Sequence, residues 1–182
     1  GDAPLVIAGD IHYDQHYLQG SIDDLLVYNR AITLGEMDSL YRQSGWTEHA
    51  QIAHYTFSGN TDDSGMYQNH ATNNGATLTV DRFGNNNSAY HFNGTSSSIL
   101  SPLDCPQDTV SISIWLKPES DREQVVAGWY QNNSLYDDPL YLVESSGRYY
   151  SKFFTTDEVQ GSVDLGVIGS EWTHLVSIFA GD

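Results

Sequence analysis

Apolar residues in this chain recur chiefly at every second position and in short runs, which is the period of a half-buried strand. The cleanest example is Ser111-Ile112-Ser113-Ile114-Trp115, stopped by Lys117-Pro118, and a second is Gln51 to Phe57, where Ile52, His54 and Thr56 alternate with Ala53, Tyr55 and Phe57. The same reasoning predicts strands at Leu5 to Gly9, Ser21 to Tyr28, Ala89 to Phe92, Ser97 to Leu100, Thr109 to Leu116, Gln124 to Trp129, Leu140 to Glu144, Tyr149 to Thr155 and His174 to Phe179. In Ser21 to Tyr28 the run Leu25-Leu26-Val27 is apolar on both faces, so periodicity leaves open which of Asp23 and Asp24 points inward. One segment breaks the pattern. Thr33-Leu34-Gly35-Glu36 has the spacing of a capping box, and Leu34, Met37, Leu40 and Tyr41 follow at helical intervals, so residues 33–42 are predicted to form one short helix. Residues 43–49 read as a boundary, and Ser58 to Asn74, dense in Gly, Asn, Asp and Ser, reads as turns. Short strands separated by turn signals predict an all-β antiparallel sandwich.

Composition narrows the function classes. Seven basic residues against 24 acidic ones give a formal charge of −17, which opposes binding to nucleic acid and to anionic membranes and makes cations the expected charged partners. Cys105 is the only cysteine, so neither an internal disulfide nor a cysteine-based zinc site is expected. No apolar run approaches a membrane span, and no basic, apolar-core leader opens the sequence; a processed segment of a secreted protein fits. Two glycosylation sequons occur, Asn93-Gly94-Thr95 and Asn132-Asn133-Ser134.

The ordered segments resemble the laminin-G-like branch of the concanavalin A-like lectin/glucanase jelly rolls. The residues that carry the resemblance are Ala53 to Phe57 with the turn Ser58 to Gly65, then Asp81-Arg82-Phe83-Gly84-Asn85, Ala89 to Gly94, Ser111 to Trp115 and Trp172-Thr173-His174-Leu175. Gly20 to Tyr41, with Gly20-Ser21-Ile22-Asp23-Asp24, resembles the close of such a domain, yet it precedes the opening segment. The resemblance therefore implies that residues 1–45 are the closing part of one repeat and 50–182 the first three quarters of the next, lacking on the order of twenty residues of hairpin and strand. Either both parts stay incomplete, with raw sheet edges that invite pairing, or residues 1–45 of the same or a neighbouring chain complete the second part, giving a permuted domain or a polymer of exchanged strands.

Candidate chemistry follows from residue type. Calcium takes roughly six to eight oxygens from carboxylates and carbonyls in irregular loops, so Asp62 and Asp63 of the Asp-rich turn, together with Asp23 and Asp24, are candidate ligands; the resemblance implies calcium in this region, with Asp62 at the matching position. The alternative is that Asp62 and Ser64 only cap their turn. Asp10, His12, Asp14 and His16 alternate with ligand-type spacing but read as a surface loop. Trp129, Tyr130, Asn132 and Tyr136 combine aromatic and amide groups suited to stacking on and hydrogen-bonding a sugar, against the alternative that the aromatics pack beneath the loop; Trp115 and Trp172 read as core. Paired glycosidase carboxylates and a nucleophile elbow are not found in the sequence.

These readings point to a non-enzymatic extracellular or cell-surface module, part of a larger multi-repeat protein, that recognises a glycan or cell-surface protein with calcium as structural support. A filament subunit assembled by strand exchange and a non-catalytic appendage of a secreted glycoside hydrolase are the alternatives.

Overall fold

Alternation decides which face of each strand is buried. The computed structural model describes residues 4–9, 16–42, 50–104, 109–129, 140–145, 147–153, 161–167 and 169–180. Among them, strands β1 (Pro4–Ile7), β4 (Thr72–Asn74), β7 (Ser98–Asp104), β9 (Gln124–Trp129), β10 (Leu140–Ser145), β11 (Arg148–Phe153) and β12 (Gly161–Val167) form sheet A in the order β12-β11-β10-β9-β1-β7-β4. Sheet B is β13-β8-β2-β6-β5, made from β13 (Thr173–Ala180), β8 (Thr109–Pro118), β2 (Gln19–Tyr28), β6 (Ala89–Asn93) and β5 (Thr77–Thr79), with β3 (Gln51–Tyr55) also paired to β2. All the strand pairings between these named strands are antiparallel. The chain is therefore an all-β protein, its described residues forming two antiparallel sheets and one short helix.

The core lies between the sheets. Leu5, Ile7, Ile99, Val126 and Trp129 from sheet A meet Ile22, Leu25, Val27, Tyr55, Phe92, Val110, Ile112, Ile114 and Leu116 from sheet B. Burying a large aliphatic or aromatic side chain stabilises by about 1.5–3 kcal/mol, so this layer is what holds the sheets together. A polar tie crosses it: the Tyr55 hydroxyl donates or accepts at 2.6 Å with Ser101 Oγ and lies 2.6 Å from the Asn69 carbonyl. Burial raises the Tyr55 phenol well above its ordinary range, which keeps it neutral between these partners.

Both early strands occupy interior positions. β1 is flanked by β9 and β7, and β2 by β8 on one side and by β6 and then β3 on the other. Segments that precede residue 45 are thus paired within sheets built from residues that follow residue 50.

Helix α1 (Leu34–Arg42) begins as the capping box requires: Thr33 N donates to Glu36 Oε2 at 2.8 Å, and Glu36 N donates to Thr33 Oγ1 at 3.3 Å. Arg30 adds an ion pair to Glu36, and with the Thr33 bonds it lowers the Glu36 carboxyl to about 2. The helix covers the outer face of sheet B, where Leu40 and Met37 pack with Leu26, Tyr28, Ile32 and Val176. Ser111 Oγ, on that outer face of β8, donates to Arg30 O at 2.7 Å and accepts from Ile32 N at 3.2 Å.

Three strands differ from the expected set. β4 and β5 lie in or just after the stretch expected to be turns, and β12 was not expected. Thr72-Asn73-Asn74 carries no apolar alternation because all three residues are exposed on the edge of sheet A. Backbone pairing with β7 alone makes it a strand. The expected boundary at 43–49 lies outside the described residues.

Candidate functional site

The outer face of sheet B carries a group of polar and aromatic side chains whose position depends on one irregularity in β2. Ile22 pairs with Leu116 and Asp23 with Trp115, but Leu25, not Asp24, pairs with Ile114. Asp24 is thus the extra residue of a β-bulge, with φ at +42°, a left-handed value that Asp tolerates better than most residues. A bulge restores the inward register of Leu25 while leaving two successive side chains on the outer face. The periodicity ambiguity at Asp23 and Asp24 is resolved by neither pointing inward. The bulge also sits where the neighbour of β2 changes from β6 to β3.

Into this place comes Arg82. Its turn is organised by Asp81, whose Oδ1 accepts from Phe83 N and Asn85 N, each at 2.8 Å, and whose Oδ2 accepts from Asn85 Nδ2 at 2.8 Å. Burial alone would raise the Asp81 carboxyl, but those bonds outweigh it and hold it below the ordinary value. The Arg82 guanidinium donates to Asp23 and, at 2.6 Å, to Asp24 Oδ2. It is also flanked by two rings, with Cζ 4.5 Å from the Phe83 centroid and 4.8 Å from that of Trp115. The Arg82 and Asp23 side chains are each only 5% exposed, so this is an internal ion cluster rather than a surface pair.

The surroundings split the two acids. Burial, and then the Asp24 charge, push the Asp23 carboxyl up to about 7 in spite of Arg82. Burial acts on Asp24 too, yet the bonds from His54 and Arg82 outweigh it and lower its carboxyl. His54 Nε2 stands 3.6 Å from Asp24 Oδ1. On the far side of Trp115, His174 stacks at 5.0 Å and Tyr41 of α1 at 5.5 Å. Burial, and then the Arg82 charge, push His174 down to about 4, so it is neutral in the folded protein near neutral pH. His174 Nε2 shares a 2.8 Å hydrogen bond with Ser113 Oγ, but Ser113 is only 1% exposed and is closed to a substrate.

The four candidate calcium ligands are not brought to a common point. Asp23 and Asp24 hold Arg82, a cation supplied by the chain itself. Asp63 is a turn organiser: Oδ1 accepts from His54 N and Gly65 N, and Oδ2 from Asn69 N, all at 2.8 Å. The residue that caps this turn is Asp63 rather than Asp62, because Asp63 bridges to Tyr55 and is buried whereas the Asp62 side chain is 60% exposed, 3.9 Å from His70 Nδ1. Among the described residues no group of three or more His, Cys, Asp or Glu side chains has an arrangement that would hold a metal ion.

The tryptophans exchange their expected places. Trp129 is fully buried, and its indole N–H donates to Leu103 O at 2.9 Å, so it is core and not a sugar platform. Trp115, expected in the core, is half-buried on the outer face, because Ile112 and Ile114 take the inward positions of β8. Trp172 is half-buried. Tyr130, Asn132 and Tyr136 lie outside the described residues, as do Asp10, His12 and Asp14. Sequence reasoning missed Arg82, His54, Trp115 and His174 as a group. One signal was available: an arginine in a chain with only 7 basic residues, following an Asp that can close a turn.

Comparison with protein-family models, with curated proteins and with solved structures yields no match. Among the described residues no helix is long and apolar enough to cross a membrane.

Proposed function

We propose that this chain is a non-enzymatic extracellular module, a jelly roll of laminin-G-like kind, that binds a carbohydrate on a cell-surface or secreted partner. The observation that carries the reading is the aromatic and charged group on the outer face of sheet B. Trp115 is immobilised between Arg82, His174 and Tyr41, while Tyr41 and Phe83 are 58% and 62% exposed beside it. Rings held in advance lose little freedom on binding, and their faces suit the C–H surface of a sugar. Binding is favoured over bond-breaking chemistry because the nearby carboxylates are engaged by Arg82 and the Ser113 hydroxyl is buried. Pairing of β1 and β2 with strands that follow residue 50 supports a module in which residues 1–45 complete the sheets of the later part.

A glycan array tests this with the wild-type protein and with Tyr41→Ala and Phe83→Ala, each checked for an unchanged thermal transition. Binding to a defined glycan class that both substitutions weaken supports the proposal. Absence of any bound glycan, or binding that both substitutions leave intact, overturns it.

A further inference from the structure

The chain contains two Asn-Gly dipeptides, Asn74-Gly75 and Asn93-Gly94, and the fold treats them oppositely. Asn-Gly is the dipeptide most prone to spontaneous loss of the side-chain amide, because glycine leaves the following backbone nitrogen uncrowded. Three conditions set whether it happens in a folded protein. The side chain must rotate to bring Cγ to that nitrogen, the nitrogen must be able to lose its proton, and water must reach the site.

At Asn93 the first two are opposed, and although the Asn93 side chain is exposed, the nitrogen it would have to reach is buried. Its Oδ1 accepts from Thr95 N at 2.9 Å, Ser96 N at 3.0 Å, Ser97 Oγ at 3.1 Å and Ser97 N at 3.2 Å, which fixes the side chain over its own turn. Gly94 N–H donates to Leu18 O at 2.9 Å. Gly94 is buried, with Arg122 donating to its carbonyl and the Gln19 Cβ only 2.8 Å from where a Gly94 Cβ would lie.

At Asn74 the side-chain and solvent conditions are permissive, and Gly75 is tied to the sheet only by an isolated backbone bridge to Ser98. Asn74 ends β4, the edge strand of sheet A, and its side chain is exposed; among the described residues no side-chain hydrogen bond restrains it. The neighbouring Asn73 carries the turn instead, with Oδ1 accepting from Ala76 N at 2.8 Å and Nδ2 donating to Ala76 O at 2.9 Å. Gly75 is exposed, and a Cβ on it would find its nearest neighbour 4.0 Å away.

We propose that Asn74 is a site of spontaneous deamidation and that Asn93 is protected by the fold. The Gly75 nitrogen, once deprotonated, bonds to Asn74 Cγ; the bond from Cγ to Nδ2 breaks and the nitrogen leaves as ammonia, giving a five-membered imide. Water then opens either carbonyl, yielding aspartate or isoaspartate. The overall change is one water consumed and one ammonia released, with no oxidant or reductant. Isoaspartate adds one methylene to the backbone where Asn74 pairs with Ser98 of β7, so it disturbs the register of the sheet edge as well as adding a negative charge.

The test is to age the folded protein in mildly alkaline buffer and follow both dipeptides by peptide mapping with mass spectrometry, alongside a urea-denatured sample and an Arg122→Ala variant. The expected result is conversion of the Asn74 peptide with the Asn93 peptide unchanged in the native protein, comparable conversion of both when denatured, and gain of conversion at Asn93 in Arg122→Ala. Asn74→Gln should abolish the acidic species seen by isoelectric focusing. Equal or faster conversion of Asn93 in the native protein overturns the proposal, as does an Asn74 peptide that stays unconverted while its denatured counterpart reacts.

Discussion

Replacing Arg82 with methionine isolates what the internal ion cluster contributes. Methionine keeps a long side chain between the Phe83 and Trp115 rings but removes the charge and the two bonds to Asp23 and Asp24. Two carboxylates then face each other on the bulge without the guanidinium, with His54 still 3.6 Å from Asp24, in a place where the Asp23 side chain is 5% and the Asp24 side chain 20% exposed. Removing one partner of a buried ion pair costs about 3–5 kcal/mol, chiefly because a charge is left buried and unpaired. For a chain of this size that corresponds to a fall in Tm of about 6–20 °C. Two observations moderate the figure toward its lower end: Arg82 Nε is buried with no partner among the described residues, and protonation of one acid relieves the repulsion. The assay is urea unfolding followed by tryptophan fluorescence, with the triple variant Asp23→Asn, Asp24→Asn, Arg82→Met as the companion. The triple variant should recover most of the loss, since deleting a whole buried charge group is often neutral. A cost below about 1 kcal/mol for Arg82→Met, the value of an exposed pair, would refute the assignment of this cluster as internal.

Further outcomes follow from the same geometry. Asp23 has its carboxyl raised from 3.8 to about 7, so its favourable contribution is complete below 3.8 and lost as pH rises through about 7; the stability of Asp23→Asn relative to wild type should therefore climb with pH across that window, and a flat difference in urea titrations would contradict it. His174, lowered from 6.5 to about 4, disfavours the fold as pH falls below 6.5, but it is present in both proteins and cancels in that comparison. Trp129→Ala should cost about 3–5 kcal/mol as a core deletion, visible as a lower urea midpoint, while the folded fraction keeps any glycan affinity; selective loss of binding at full stability would return Trp129 to a ligand role. Adding EDTA should leave Tm unchanged because protein donors already occupy Asp23, Asp24 and Asp63, whereas a Tm that rises with calcium concentration would show a site that binds the native state.

Particular residues show how far one-dimensional reasoning reaches. The capping box at Thr33 and Glu36 is a local arrangement, complete within four residues, and the helix starts where it says. The alternation in β8 likewise assigns Ile112 and Ile114 to one face from spacing alone. Yet the same alternation, followed one residue further, sends Trp115 outward, and an apolar residue beside an apolar strand end is then easily mistaken for core. Trp129 errs in the other direction, since polar residues after it in sequence say nothing about the strand end on which it sits. β4 was hidden because an exposed edge strand needs no apolar face, only a neighbour with free backbone groups.

The sequence by itself determined that the protein is an antiparallel all-β sandwich with one short helix, because hydrophobic period and turn chemistry act over a few neighbouring residues. Tertiary structure alone decided what Asp23 and Asp24 do. A bulge is a mismatch between two strands, β2 and β8, whose paired residues there lie 89 and 92 positions apart, so no period within β2 encodes it, and Arg82 reaches the pair from a turn 59 residues from Asp23 and 58 from Asp24. A carboxylate in water and one against a buried guanidinium are the same letter in a sequence. Which of the two it is depends on the groups that folding brings within about 3 Å of it.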